Sequence, residues 1–180
     1  DRCEDIVEID DCVFSIEKAN TDNKYVIHNY NKRVGGYISN QQVNQLLNSP
    51  KGFHFGNANQ FYFIANKDGK GVISRLAKTE NNISEIKEFG SSYSAADPQQ
   101  INSNEVLILF KDRIYVFNKY HETRGYANPL ANAIGIRYNK ATNQLIVFNS
   151  TTVKLYNFPS FELIAKRLNE GNIKDVQFLD

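Results

Sequence analysis

Short apolar runs recur along this chain at a fixed spacing. Glu105-Val106-Leu107-Ile108-Leu109-Phe110 lies over Gln144-Leu145-Ile146-Val147-Phe148-Asn149 at an offset of 39 residues (105 to 144), and the first five positions match in character. Only Phe110 over Asn149 disagrees. The register continues downstream, where Arg113-Ile114-Tyr115-Val116-Phe117-Asn118 meets Thr152-Val153-Lys154-Leu155-Tyr156-Asn157. Both rows end in an aromatic residue followed by Asn. A third copy places Lys24-Tyr25-Val26-Ile27-His28-Asn29 over Arg113 to Asn118, and Gly36-Tyr37 over Gly125-Tyr126, at an offset of 89 (24 to 113). A fourth, more diverged copy runs from Phe53 through Phe61-Tyr62-Phe63-Ile64, a turn at Asp68-Gly69, and Val72 to Leu76. Asp-Gly is a strong hairpin signal because both residues tolerate positive φ.

The clearest copy reads Ile134 to Tyr138, a turn at Asn139 to Asn143, Leu145 to Phe148, a turn at Asn149 to Thr151, Thr152 to Tyr156, then Phe161 to Ala165. This is a meander of four short strands. Such a unit cannot bury both of its faces alone and must stack on neighbours, which is the logic of a propeller blade. The repeats fall near residues 24–37, 53–89, 93–129 and 132–168, and a further copy begins at Ile173, where Val176 and Phe178 follow Ile136 and Tyr138 by 40 (136 to 176). The expectation is an all-β protein of antiparallel four-stranded blades, about four in number, in an open or partial ring and as a single domain over 1–180.

With these blades in place, the chain resembles the WD40-like β-propellers. In that family the third strand commonly closes with Trp-Asp; the corresponding pairs here are Phe117-Asn118, Tyr156-Asn157 and His28-Asn29. An aromatic ring still packs between blades, and Asn still bonds to turn backbone. Several family features are missing. No Gly-His pair precedes the strands, no Trp occurs, and four blades is a low count, so these departures imply either an incomplete propeller or one completed by additional chain or subunits. Phosphoinositide-binding propellers share this style of blade, but their Phe-Arg-Arg-Gly motif is absent.

One segment breaks the strand pattern. Residues 40–48, rich in Asn and Gln, place Val43, Leu46 and Leu47 at helical spacing between Ser39 as an N-cap and Pro50 as a stop, which predicts one short helix packed on a blade edge.

Charge narrows the function. Twenty-one Lys and Arg against 20 Asp and Glu give a net +1, which argues against a dedicated nucleic-acid surface or a polybasic membrane patch. The aromatic and basic residues interleaved from Tyr115 to Tyr126 could stack bases, but strand alternation produces the same pattern. The longest apolar runs, such as Val106 to Phe110, are far shorter than the roughly 20 residues of a membrane-spanning helix. No signal-peptide pattern opens the sequence. Cys3 and Cys12 could meet across a hairpin, yet two cysteines are no disulfide framework; reduced thiols are favoured, which slightly favours the cytoplasm. Sequons at Asn82 and Asn149 do not settle the compartment in a sequence this rich in Asn.

Candidate chemistry is sparse. The acidic opening, Asp1, Glu4, Asp5, Glu8, Asp10 and Asp11, lacks the spacing and Gly of a calcium loop and reads as the solvated face of a strand. His28, His54 and His121 are scattered with no nucleophile signature nearby. The close Cys pairs of a structural zinc site are missing, and Gly35-Gly36 reads as a hairpin turn rather than a phosphate loop. The expectation is therefore a non-catalytic protein-interaction scaffold with no cofactor and no metal, whose partners are other proteins. The resemblance to WD40-like blades implies partner contacts at Lys111, Asp112, Asn149, Ser150, Asn169 and Glu170, on loops at one end of the blades. The alternatives are an enzyme or small-ligand propeller whose site is completed by further chain, and a structural subunit of a large assembly.

Overall fold

Hairpin turns divide the chain into short strands of similar length, and consecutive strands pair with one another. The structure, a computed structural model, describes residues 2–18, 25–43, 47–56, 60–77 and 83–179. Among these, 16 strands form four sheets, each a simple antiparallel meander. The first holds β1 (Arg2–Ile9), β2 (Cys12–Lys18), β3 (Tyr25–Asn31) and β4 (Tyr37–Val43). The second holds β5 (Asn48–Phe53), β6 (Gln60–Lys67), β7 (Lys70–Ala77) and β8 (Ile83–Glu88). The third holds β9 (Gln99–Asn102), β10 (Glu105–Leu109), β11 (Arg113–Asn118) and β12 (Thr123–Ala127). The fourth holds β13 (Gly135–Asn139), β14 (Gln144–Phe148), β15 (Thr152–Asn157) and β16 (Glu162–Leu168). These are the antiparallel four-stranded blades expected from the repeats. The Asp68-Gly69 turn joins β6 to β7 with φ values of 50° and 78°, as a two-residue hairpin requires.

The chain divides into two compact units, Asp1–Ser92 and Tyr93–Asp180. Each contains two sheets packed face to face. In the first unit Phe14, Ile16 and Ile27 of the β1–β4 sheet pack on Phe61, Phe63 and Ala65 of β6, and the Phe14 and Phe61 rings stack at 4.8 Å. In the second, Leu107 and Leu109 of β10 with Ile114 and Val116 of β11 pack on Ile136, Leu145, Val147 and Tyr156. Alternation explains the selection: Leu107 pairs with Val116 and Leu109 with Ile114, so all four share one face.

Two glycines let aromatic rings lie against the backbone. A Cβ at Gly135 would sit 2.2 Å from Phe148 Cζ, and one at Gly52 would sit 2.5 Å from Val7 Cγ2 and 2.6 Å from Phe61. In both places a second-strand Phe covers a first-strand Gly.

The structure corrects two expectations. The short helix at residues 40–48 is not present: Asn40 to Val43 belong to β4, and Asn48 and Pro50 to β5, while residues 44–46 lie outside the described residues. Pairing with β3, from Val43 opposite Tyr25 to Asn40 opposite His28, overrides the helical spacing, and Val43 reaches the core from a strand. Pro50 sits at the irregular stretch of β5 between Asn48 and Lys51, where a missing N–H is tolerated.

The second correction concerns the aromatic–Asn pair of the first blade. Cys12 faces Asn31 just as Glu105 faces Asn118 and Gln144 faces Asn157, so the closing pair is Tyr30-Asn31 and not His28-Asn29. Of the two readings left open for the cysteines, pairing across a hairpin is ruled out by register. Cys12 pairs with Ile9 beside the turn and Cys3 pairs with Glu17 at the far end, roughly 20 Å away at the rise of a strand, far beyond disulfide reach.

Two predictions come from this packing. Phe148 is buried and cannot yield, so Gly135→Ala is expected to destabilise the protein by about 1–3 kcal/mol in chemical denaturation, with part of the loss recovered by adding Phe148→Leu. His54 accepts a hydrogen bond from the Gly56 N–H at Nδ1 (2.9 Å), and burial lowers its pKa below 6.5, outweighing the opposite pull of Asp10. The unfolded chain then binds the proton more tightly, so this contribution is complete above about pH 6.5 and is lost as pH falls through that value toward the folded pKa. The drop in thermal midpoint from pH 7.5 to 5.5 is expected to be smaller in His54→Gln than in the wild type.

Candidate functional site

Asparagine side chains build the turns at one end of the second unit. In the β14–β15 turn Asn149 Oδ1 accepts the backbone N–H groups of Thr151 (3.0 Å) and Thr152 (2.8 Å), an Asx turn in which the side chain replaces a backbone carbonyl. Its Nδ2 donates to the Ala131 carbonyl at 3.1 Å, which ties the turn to the segment between β12 and β13. With both ends of the amide engaged, Asn149 is a structural peg rather than a free glycan acceptor. Asn82, the other sequon, lies outside the described residues.

Asn128 does the same for the β10–β11 turn. Its Nδ2 donates to the carbonyls of Phe110 (3.3 Å) and Lys111 (3.4 Å), its Oδ1 accepts the Leu130 N–H, and its own N–H donates to the Asp112 carbonyl at 3.0 Å. On the other side of Asn149, the Asn169 N–H donates to the Thr151 carbonyl (2.9 Å) and the Ile173 N–H to the Ser150 carbonyl (2.8 Å). Below this rim, Tyr156 Oη and Lys154 Nζ both donate to the Pro129 carbonyl. Burial raises the Tyr156 pKa, which keeps the phenol a donor.

The six residues singled out from the sequence thus fall on one connected rim of turns within the second unit. Asn149, Ser150 and Asn169 are in one hydrogen-bonded group; Lys111 and Asp112 join it through Asn128 and the segment to Ala131. Glu170 follows Asn169 and is exposed, as are Lys111, Asp112 and Ser150. The residues missed were Asn128 and Thr151. The Asn128-Pro129 dipeptide was a readable turn signal, whereas the Thr151 carbonyl contributes through backbone geometry that residue type does not encode.

The rim offers displayed charge and fixed backbone but no reactive pair. His121 is on the β11–β12 turn, at the opposite end of its sheet from Lys111, and its ring stacks on Phe117 at 5.9 Å. The triad elements Ser, Glu and His do come together in the first unit, on the β2–β3 pair. There the Ser15 hydroxyl donates to Glu17 Oε1 (2.8 Å), and Glu17 Oε2 lies 3.7 Å from His28 Nε2. The carboxylate stands between hydroxyl and imidazole, so the hydroxyl meets no imidazole base as nucleophilic activation would need. Three residues of the acidic opening have basic or backbone partners: Glu8 with Lys32 (2.5 Å), Asp11 with Arg33 (3.0 Å), and Asp5 accepting the Gly52 N–H (2.7 Å). Among the described residues no helix is long and apolar enough to cross a membrane.

No protein-family model matches the chain, and no curated protein matches it by sequence. The fold is nevertheless shared with 430 chains of known structure. One is a functionally unknown protein from Desulfotomaculum acetoxidans DSM 771, with a TM-score of 0.62 and 12% identity over 91% of this chain and 55% of that one. Another is the AfRom2 CNH domain, with a TM-score of 0.66 and 10% identity over 93% of this chain and 54% of the other. The chain therefore spans a little over half the length of the structures it resembles. At these identities the likeness concerns the fold, and it supports a multi-bladed antiparallel β architecture of propeller type.

Proposed function

We propose that this chain is a non-catalytic protein-interaction scaffold of WD40-like style, and that the rim carrying Lys111, Asp112, Asn149, Ser150, Asn169 and Glu170 is its partner surface. The observation that carries the reading is the rim itself. Asn128 and Asn149 hold its turns rigid through side-chain to backbone bonds, while Lys111, Asp112, Ser150 and Glu170 remain exposed. Fixed loops lose little entropy on binding and present both signs of charge, which suits recognition of a protein surface of mixed charge.

A second reading, a structural subunit of a larger assembly, is favoured by β16. This edge strand is exposed along its length, with Leu163 at 51% and Leu168 at 68%, while Lys166 and Arg167 provide the charge that discourages unplanned edge pairing. Concentration-dependent sedimentation, abolished by Leu163→Lys with Leu168→Lys, is the result that reading requires.

The scaffold reading is tested by cross-linking mass spectrometry in the native host. Lys111→Glu with Glu170→Lys alters charge without touching the rim's backbone bonds, and is expected to reduce partner cross-links at the rim roughly tenfold. Asn149→Ala is expected to cost about 1–3 kcal/mol of stability by orphaning the amides it holds, and to reduce the same cross-links. Unchanged cross-links in both variants, or a reproducible turnover abolished by Ser15→Ala or His28→Ala, would overturn it.

A further inference from the structure

The outer face of the first sheet departs from the repeat in a way that packing does not explain. Cys12 opposite Asn31, Glu105 opposite Asn118 and Gln144 opposite Asn157 align the second strands of three sheets. Counting from these pairs, Ser15 stands where the third and fourth sheets have the buried Ile108 and Val147, and Glu17 stands where the third has the buried Phe110. Val13, Ser15 and Glu17 alternate with Phe14 and Ile16, whose side packs on the second sheet, so they share the reverse face. That face is open to solvent: Ile6, opposite Ser15, is 62% exposed, and Tyr37 is 55% exposed.

Three rings gather on it. Tyr30 pairs with Val13 on one side and Tyr37 on the other, and His28 pairs with Ser15. Their centroids are 6.0 Å apart for His28 and Tyr30, 6.2 Å for His28 and Tyr37, and 5.9 Å for Tyr30 and Tyr37. The His28 and Tyr30 planes lie within 29° of each other, while Tyr37 stands at 61° and 73° to them, so the three form a corner and not a stack. The centre of a triangle with these sides lies roughly 3.5 Å from each ring, so an ion about 3.6 Å above it is about 5 Å from all three, inside the roughly 6 Å reach of cation–π attraction.

Glu17 flanks the corner beside His28. Its Oε1 accepts the Ser15 hydroxyl at 2.8 Å, and its Oε2 lies 3.7 Å from His28 Nε2. Among the described residues no Lys or Arg pairs with Glu17, whereas Glu8, opposite Val13 on this face, is held by Lys32. A carboxylate without a basic partner beside three rings favours a cation. The kind of cation follows from hydrogen-bond supply. A primary ammonium brings three donors and a tight hydration shell, and the one carboxylate beside the rings is already engaged by Ser15. A quaternary ammonium has no donors to satisfy, and its methyl groups gain by leaving water for the rings.

We infer that this corner binds a quaternary ammonium group, with His28, Tyr30 and Tyr37 against its methyl groups and Glu17 balancing its charge. The group is a choline-type head, free in solution or carried by a phosphatidylcholine bilayer. The site lies in the first unit and shares no residue with the loop rim of the second, so either assignment can fail without the other.

The test is NMR on the full chain, with tetramethylammonium chloride as the probe and ammonium chloride and sodium chloride as controls at equal ionic strength. Tetramethylammonium is expected to shift the Cε1–H signal of His28, identified by its loss in His28→Gln, with half-saturation at about 1–10 mM, while the signals of His54 and His121 stay fixed. Tyr37→Leu, on an exposed edge strand, is expected to weaken binding about tenfold and Glu17→Gln about threefold, whereas Tyr37→Phe stays within about twofold of the wild type. Flotation with phosphatidylcholine vesicles separates the two sources. Vesicle binding that is lost in Tyr37→Leu assigns the lipid head; vesicle binding that is absent, or unaffected by Tyr37→Leu, assigns the free solute. No shift of the His28 signal at about 100 mM tetramethylammonium, or an equal shift with ammonium chloride, overturns the proposal. Unchanged affinity in Tyr37→Leu and Glu17→Gln overturns it as well. Should Tyr37→Leu fail to fold, Glu17→Gln alone decides, and unchanged affinity there removes the site.

Discussion

A four-stranded sheet that is apolar on both faces cannot exist alone in water, and every other feature of this protein depends on that constraint. The third sheet shows it plainly. Val106, Ile108 and Phe117 alternate with Leu107, Ile114 and Val116, and all six are buried. Stacking removes those faces from water at roughly 25 cal/mol per Å² of apolar surface, a gain that grows with each added layer rather than with propensity of any one strand. Close stacking also needs side chains that do not hold neighbouring strands apart. Gly52 and Gly135 serve that need by letting Phe61 and Phe148 lie down against the backbone instead of standing off it.

Given stacked layers, the remaining problem is to end each strand and start the next. Asparagine solves it repeatedly. Asn31, Asn102, Asn118, Asn139 and Asn149 each accept a backbone N–H two residues ahead, so the turn is closed by a side chain and needs no unusual loop. The high Asn content of the chain is thus a structural device. It also shapes the loop rim, because a turn pinned from within can expose Lys111, Asp112, Ser150 and Glu170 without losing its shape.

Much of this was legible in residue order. The blades were visible because a period-two apolar pattern repeated every 39 residues, while the six rim residues followed only from the resemblance to WD40-like blades. The misreadings share one cause. Residues 40–43 fit a helical or an extended reading alike over so short a run, and pairing with β3, Val43 opposite Tyr25 and Gln41 opposite Ile27, chose the strand. His28-Asn29 resembled the end of a third strand, but the end is set by where the preceding strand begins, at Cys12 opposite Asn31. Neither partner strand could be located from its own residues.

Residue order alone therefore settled the class of the fold and the positions of most strands, because these depend on local alternation, turn chemistry and repetition. Three-dimensional packing settled the strand register, the separation of Cys3 from Cys12, and the joining of Lys111 to Asn149 through Asn128 and Ala131. It also placed Val153 and Leu155 on the face of the fourth sheet opposite Leu145 and Val147. Each of these rests on which residue stands opposite which across a ladder. A single-residue slip in that pairing reverses both faces of a strand while leaving its sequence pattern unchanged.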